Sequence, residues 1–168
     1  VTINTKRKNL TVFFSDIKSF TTITEKLEPE ILTDLITNYL TEMTNIAIKY
    51  SGTVDKYIGD AIMIFFGDPQ SKGTKKDAIA CVTMALEMKK RLRKLKKDWE
   101  RTGLSESLDV RMGIHTDVCT VGNFGSSVRL DYTVLGNGVN LASRLESLAG
   151  ANEILISENT HNLINKDI

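Results

Sequence analysis

Three features of the chain predict an α+β fold in which helices pack against a mostly antiparallel sheet. Two pairs of β-rich runs each read as a hairpin, two long segments repeat their apolar residues at helical spacing, and the helical segments fall between the strands rather than after them. With 168 residues, 41% of them hydrophobic and 26% charged, the chain is long enough for one domain with a real core, taken as residues 1–168. A formal net charge of +1 gives no global attraction to nucleic acid or to a membrane, so an anionic ligand must be held by a local group of cations. Cys81 and Cys119 match neither a metal-ligand spacing nor a disulfide scaffold, which points to a reducing, cytoplasmic compartment. No run of about 18 apolar residues is present.

In chain order, Asn9 to Ser15 is a short apolar run that ends in Asp16 and reads as a buried strand with a carboxylate at its carboxyl end. Phe20 to Glu25 is a short helix, and Pro29 opens a longer one, with Leu35, Tyr39 and Met43 in its apolar stripe and Gly52 as its stop. Thr53 to Gly67 is a hairpin: Val54, Lys56 and Ile58 alternate with their neighbours, Gly59-Asp60 turns, and Ala61 to Phe66 runs apolar. That places Asp60 at an exposed tip.

A Pro/Gly/Ser loop then leads into the longest helix, about Lys75 to Thr102. Its basic run, Lys89 to Lys97, reads as a solvated outer face, and the lack of interleaved aromatic residues argues against nucleic-acid binding. Leu108 to His115 and Val118 to Phe124 read as a second hairpin around Thr116-Asp117. A strand at Leu130 to Leu135, a helix at Asn137 to Leu148, a strand at Glu153 to Ile156 and a helix at Glu158 to Ile164 complete the chain. Two hairpins and two long helices predict a ferredoxin-like βαββαβ core sheet with flanking helices.

In such a sheet the strands carrying Asp16 and Asp60 are neighbours. Two converging carboxylates repel unless a cation sits between them, and hard oxygen ligands suit Mg²⁺ or Mn²⁺. Two unrelated surface acids are the alternative reading of this pair.

Four strings carry more. FFSDIKSFT (Phe13 to Thr21), DKYIGDAIMIFFG (Asp55 to Gly67), VRMGIHTDVCTVGNFG (Val110 to Gly125) and DYTVLGNGVNLASRLE (Asp131 to Glu146) occur in this order over most of the chain, which in these four strings resembles the class III nucleotidyl cyclase catalytic domain, the adenylyl and guanylyl cyclase family. The resemblance implies that Asp16, Asp60 and the backbone carbonyl of Ile17 hold two divalent ions, Mg²⁺ or Mn²⁺. One would acidify the ribose 3′-hydroxyl and the other neutralise the triphosphate. It also implies that Asn140 orients the ribose, Arg144 stabilises charge on the α-phosphate and Arg111 grips the β- and γ-phosphates. The i, i+4 spacing sets Asn140 and Arg144 on one helical face.

Base choice, by the same resemblance, rests on Lys56 and Thr133. A lysine only donates, which suits adenine N1 and opposes guanine, whose N1 carries a proton. Guanylyl cyclases typically have Glu at the Lys56 position, so ATP is the expected substrate. Many adenylyl cyclases have Asp where this chain has Thr133, and the Lys56/Thr133 pair resembles the bicarbonate-responsive subgroup, so bicarbonate is an expected effector. Asp131, two residues before Thr133, is a substitute acceptor on the same strand face. His115 reads as structural. Family members assemble head to tail, with the metal acids from one protomer and the base-reading and transition-state residues from the other, so the expectation is a homodimer with two shared sites.

The family usually continues into further strands with a basic segment, VKGK-like, whose Lys contacts the triphosphate; this chain stops at Ile168. That is read as a domain cut from a longer protein with sensor or membrane domains elsewhere. Guanylate cyclase activity, or a silent cyclase-homology domain used for dimerisation or regulation, are the competing readings.

Overall fold

A computed structural model describes residues 5–101, 103 and 108–168. Its elements run β1 (Thr5–Ile17), α1 (Phe20–Lys26), α2 (Pro29–Lys49), β2 (Thr53–Ile58), β3 (Ala61–Phe66), α3 (Thr74–Arg101), β4 (Val110–Gly125), β5 (Leu130–Leu135), α4 (Asn137–Leu148), β6 (Ile154–Ile156) and α5 (Glu158–Ile164). The sheet order is β2-β3-β1-β4-β5, with β6 parallel to β4. The four strands β2-β3-β1-β4 with α2 and α3 reproduce the expected βαββαβ core. The long helix is described to Arg101, and the expected last residue, Thr102, lies outside the described residues.

The expected second hairpin does not form. Thr116 and Asp117 lie inside one 16-residue strand, β4, and pair with Thr11 and Leu10 of β1. The period of two runs unbroken through them. Val110, Met112 and Ile114 join the cluster under α2 and α3, while Cys119 and Val121 join the cluster with Ala142 of α4. Thr116 takes its turn on the helix-covered face because its hydroxyl finds partners there, Thr11 at 2.9 Å and Thr160 at 3.0 Å.

The first hairpin forms as expected, with Gly59 at φ +61°. Its first strand is not regular. The register shifts between Val54 and Lys56, so that Val54 lies opposite Ile64 while Lys56 lies opposite Met63. Asp55 is the extra residue of a β-bulge, and the bulge moves Lys56 from the helix-covered face of Val54 and Ile64 to the face of Met63 and α4.

The stop of α2 differs in detail. Ser51, at φ +66°, is the left-handed residue, and Ser51 N–H and Gly52 N–H bond the carbonyls of Ile48 (3.0 Å) and Ala47 (2.9 Å). Gly52 is needed for space, since a Cβ there would lie 2.8 Å from the Phe66 ring.

The main core lies between the sheet and α2, α3 and α5. Leu35, Tyr39 and Met43 of α2 and Met84, Met88 and Leu92 of α3 are buried in it, while Ile31 of α2 and Leu86 of α3 are exposed. A smaller cluster under α4 covers the other face. There the helix sits directly on backbone: a Cβ on Gly113 would lie 2.2 Å from Glu146 N and 2.6 Å from Ala142 O.

Candidate active site

Asp16 and Arg111 are cross-strand partners in the β1–β4 ladder. Arg111 Nε donates to Asp16 Oδ1 at 2.9 Å and Nη2 to Oδ2 at 2.7 Å, the fork geometry that guanidinium and carboxylate share. Its Nη1 donates to the Ser147 carbonyl at 3.2 Å, and Nη2 stands 3.7 Å from Glu146 Oε2. Asp60 is partly buried rather than exposed, because the hairpin tip folds back on β1: its Oδ2 accepts from the Ile17 N–H at 2.6 Å. The structure therefore brings together Asp16, Ile17, Asp60 and Arg111.

Three carboxylates, those of Asp16, Asp60 and Glu146, surround the one guanidinium. Burial raises the Asp60 pKa against the bond from Ile17, and the nearby Asp16 charge raises it further. Burial, then Asp16, push Glu146 up to about 8. Beneath them Tyr39 is fully buried, and neither its hydroxyl nor Glu146 Oε2 has a hydrogen-bond partner among the described residues. The set is short of positive charge and rich in hard oxygen.

No group of three or more His, Cys, Asp or Glu among the described residues is placed to hold a metal ion. Two carboxylates are nonetheless what Mg²⁺ ordinarily takes from a protein, with phosphate and water completing its shell. The donors present fit a nucleotide-bound divalent ion.

Asn140 and Arg144 are not part of this cluster. Gly138, Ala142 and Glu146 form the buried stripe of α4, and Arg144, two residues and about 200° beyond Ala142, is exposed, as is Asn140. Asn140 and Arg144 thus stand on the outer side of α4, turned away from the stripe that carries Glu146.

Lys56 and Thr133 belong to β2 and β5, at opposite ends of the β2-β3-β1-β4-β5 order, yet side chains of the two strands reach one another. Thr133 Oγ1 donates to Asp55 Oδ2 at 2.5 Å, and Asp55, Lys56, Arg129, Asp131 and Tyr132 line one groove. Thr133 is 6% exposed, whereas Asp131 is exposed and faces Arg129 at 3.8 Å. His115 is buried with both ring nitrogens engaged, by Ser157 at 2.8 Å and Asp117 at 3.2 Å, which agrees with a structural role. Sequence reasoning missed Asp55, Tyr39 and Glu146. Glu146 had a signal, its i+4 place on the small-residue stripe of Gly138 and Ala142; the bulge at Asp55 had none.

The adenylate and guanylate cyclase catalytic domain family matches residues 3–168, and the chain belongs to that family. It is 56% identical to the adenylyl cyclase CyaB of P. aeruginosa, whose crystal structure it matches with a TM-score of 0.96 over 98% of this chain and 84% of that one. The guanylyl cyclase Cya2 is 34% identical, with a TM-score of 0.88 over 94% of this chain and 79% of that one. Adenylate cyclase 1 of Rhizobium meliloti is 34% identical over 84% of this chain, which spans only 21% of that enzyme's length. No helix among the described residues is long and apolar enough to cross a membrane.

Proposed function

We propose that the chain is the catalytic domain of an adenylate cyclase that converts ATP to 3′,5′-cyclic AMP and pyrophosphate in sites shared between two copies. One observation carries the choice of ATP: Lys56 lies in the groove between β2 and β5, beside the Asp55 that bonds Thr133, in a chain 56% identical to an adenylyl cyclase. Lys56 donates to adenine N1 and Thr133 receives the 6-amino group.

Asp16, Asp60 and the Ile17 carbonyl would hold two Mg²⁺ or Mn²⁺ ions, which would supply Lewis acidity toward the ribose 3′-hydroxyl and positive charge beside the triphosphate. Arg111 turns from Asp16 to the β- and γ-phosphates, its planar fork serving either anion. Asn140 and Arg144 of the second protomer orient the ribose and stabilise the α-phosphate. The 3′-oxygen, having lost its proton, bonds the α-phosphorus as the bond to the β-phosphate oxygen breaks, and pyrophosphate leaves. The exposure of Asn140 and Arg144 on the outer side of α4 supports a site divided between chains.

The same reading places the domain in the cytoplasm, within a longer protein carrying sensor or membrane domains, with bicarbonate as an effector. Equal rates in bicarbonate and chloride at fixed pH and ionic strength would remove the effector. Incubation with ATP or GTP and Mg²⁺ or Mn²⁺, followed by identification of the cyclic product, tests the whole. Cyclic AMP is expected from the wild type, with Lys56→Glu losing the preference for ATP. Cyclic GMP as the main product would replace this reading with a guanylate cyclase, and no product with either nucleotide would replace it with a silent dimerisation domain.

A further inference from the structure

We propose that Asp55 fixes the hydrogen-bonding sense of Thr133 and so acts as a positioning residue for purine choice, favouring a 6-amino group over a 6-carbonyl. The inference rests on reading the groove between β2 and β5 as the base site.

A threonine hydroxyl has one proton to give and lone pairs to receive with, and alone it serves either partner. Here the proton is committed. Thr133 Oγ1 donates to Asp55 Oδ2 at 2.5 Å, and a carboxylate has none to return. What Thr133 can still offer is an acceptor, which matches the amino group at position 6 of adenine and opposes the carbonyl oxygen at position 6 of guanine. Thr133 is 6% exposed, so water competes poorly for the hydroxyl.

The backbone is built to make this contact. Asp55 is the residue left over in the β2–β3 ladder, between Val54 and Lys56. A bulge re-aims side chains, and this one sends Asp55 to Thr133 on the opposite edge strand while turning Lys56 onto the same open face. One irregularity therefore sets two contacts of opposite sense, a donor from Lys56 for N1 and an acceptor from Thr133 for the 6-amino group. Lys56 alone reads N1. With Asp55 the site also reads position 6, and a wrong base then leaves two polar groups unpaired instead of one.

The test compares initial rates of the full-length enzyme with ATP, GTP and purine riboside 5′-triphosphate, which has no substituent at position 6. Asp55→Ala should lower the ratio of kcat/KM for ATP over GTP about tenfold, the scale of one unpaired polar group. The change should appear chiefly in KM, rising for ATP and falling for GTP, while purine riboside triphosphate responds less than either. In a Thr133→Val background the same substitution should leave the ratio where it is, because the hydroxyl it governs is gone.

An equal loss with all three substrates, persisting in the Thr133→Val background, would make Asp55 a brace between strands and overturn the inference. Should Asp55→Ala fail to fold, Asp55→Asn keeps the shape but can donate to Thr133, and a smaller fall in the ratio is expected; no fall would also overturn the inference. A wild type that makes no cyclic AMP would overturn the proposed function itself, whereas an ATP-selective wild type with an unchanged Asp55→Ala ratio overturns only the role of Asp55.

Discussion

Arg111 closes a two-pronged bond on Asp16 across the β1–β4 ladder, at 2.9 and 2.7 Å, with both side chains only about a fifth exposed. The same acid is expected to hold a divalent ion, so the guanidinium and the metal compete for one carboxylate. Arg111→Ala removes the competitor and leaves Asp16 and Asp60 without their counter-charge. Without metal, the variant should be less stable by about 1–3 kcal/mol, between the values for exposed and buried pairs. Mg²⁺ or Mn²⁺ should then raise its Tm by more than it raises that of the wild type, since binding to the native state stabilises by mass action. Thermal unfolding with and without the ion checks this; a smaller metal-induced shift in the variant would contradict it.

Glu146 provides a pH dependence of definite sign. Its carboxyl, pushed up to about 8 from an ordinary 4.5 by burial and then by Asp16, keeps its proton in the folded state at pH values where the unfolded chain has lost it. The native state then binds more protons than the unfolded one, so stability falls as pH rises between those two values and levels off above them. Glu146→Gln should flatten this part of the metal-free stability curve and leave the variant more stable than wild type above pH 8. Denaturant unfolding across that range measures it, and an unchanged slope would refute the assignment.

The seat of α4 on the sheet depends on one missing side chain. A Cβ on Gly113 would lie 2.2 Å from Glu146 N and 2.6 Å from Ala142 O, both backbone atoms that cannot swing aside. Gly113→Ala should lift the helix that carries Asn140 and Arg144, costing about 1–3 kcal/mol as overpacking does. It should lower kcat more than it raises KM for ATP. Thermal unfolding and initial rates read the two effects separately.

Most of the order of elements, and the places of Asp16 at the end of β1 and Asp60 at the hairpin turn, were legible in the sequence because period and turn chemistry are local. Gly59-Asp60 showed its turn, Pro29 its helix start, and Asp16 its place beside the apolar run of β1. The second hairpin was misread for the same local reason: Thr116-Asp117 has turn chemistry, but a thirteen-residue partner strand and a buried pair of threonine hydroxyls outweigh it. The bulge was invisible, since Val54, Lys56 and Ile58 alternate as a regular strand would, and only the pairing with Ile64 and Met63 places the extra residue. The contact of Asp55 in β2 with Thr133 in β5 joins opposite ends of the strand order, which no spacing within either strand records. Asn140 and Arg144 were found as a helical pair, but that they face solvent follows from which side of α4 the small residues take.

Mixing two inactive variants shows whether one adenylate cyclase site is built from two chains. Asp60→Asn removes the charge while keeping an acceptor for the Ile17 N–H, and Arg144→Ala removes an exposed side chain, so both variants should fold. Each alone should form cyclic AMP at least ~100-fold more slowly than the wild type. Mixed in equal amounts and allowed to exchange subunits, they should regain cyclic AMP formation, because each heterodimer has one site with both defects and one with neither. An active wild type whose two variants stay inactive after mixing would contradict a site shared between protomers.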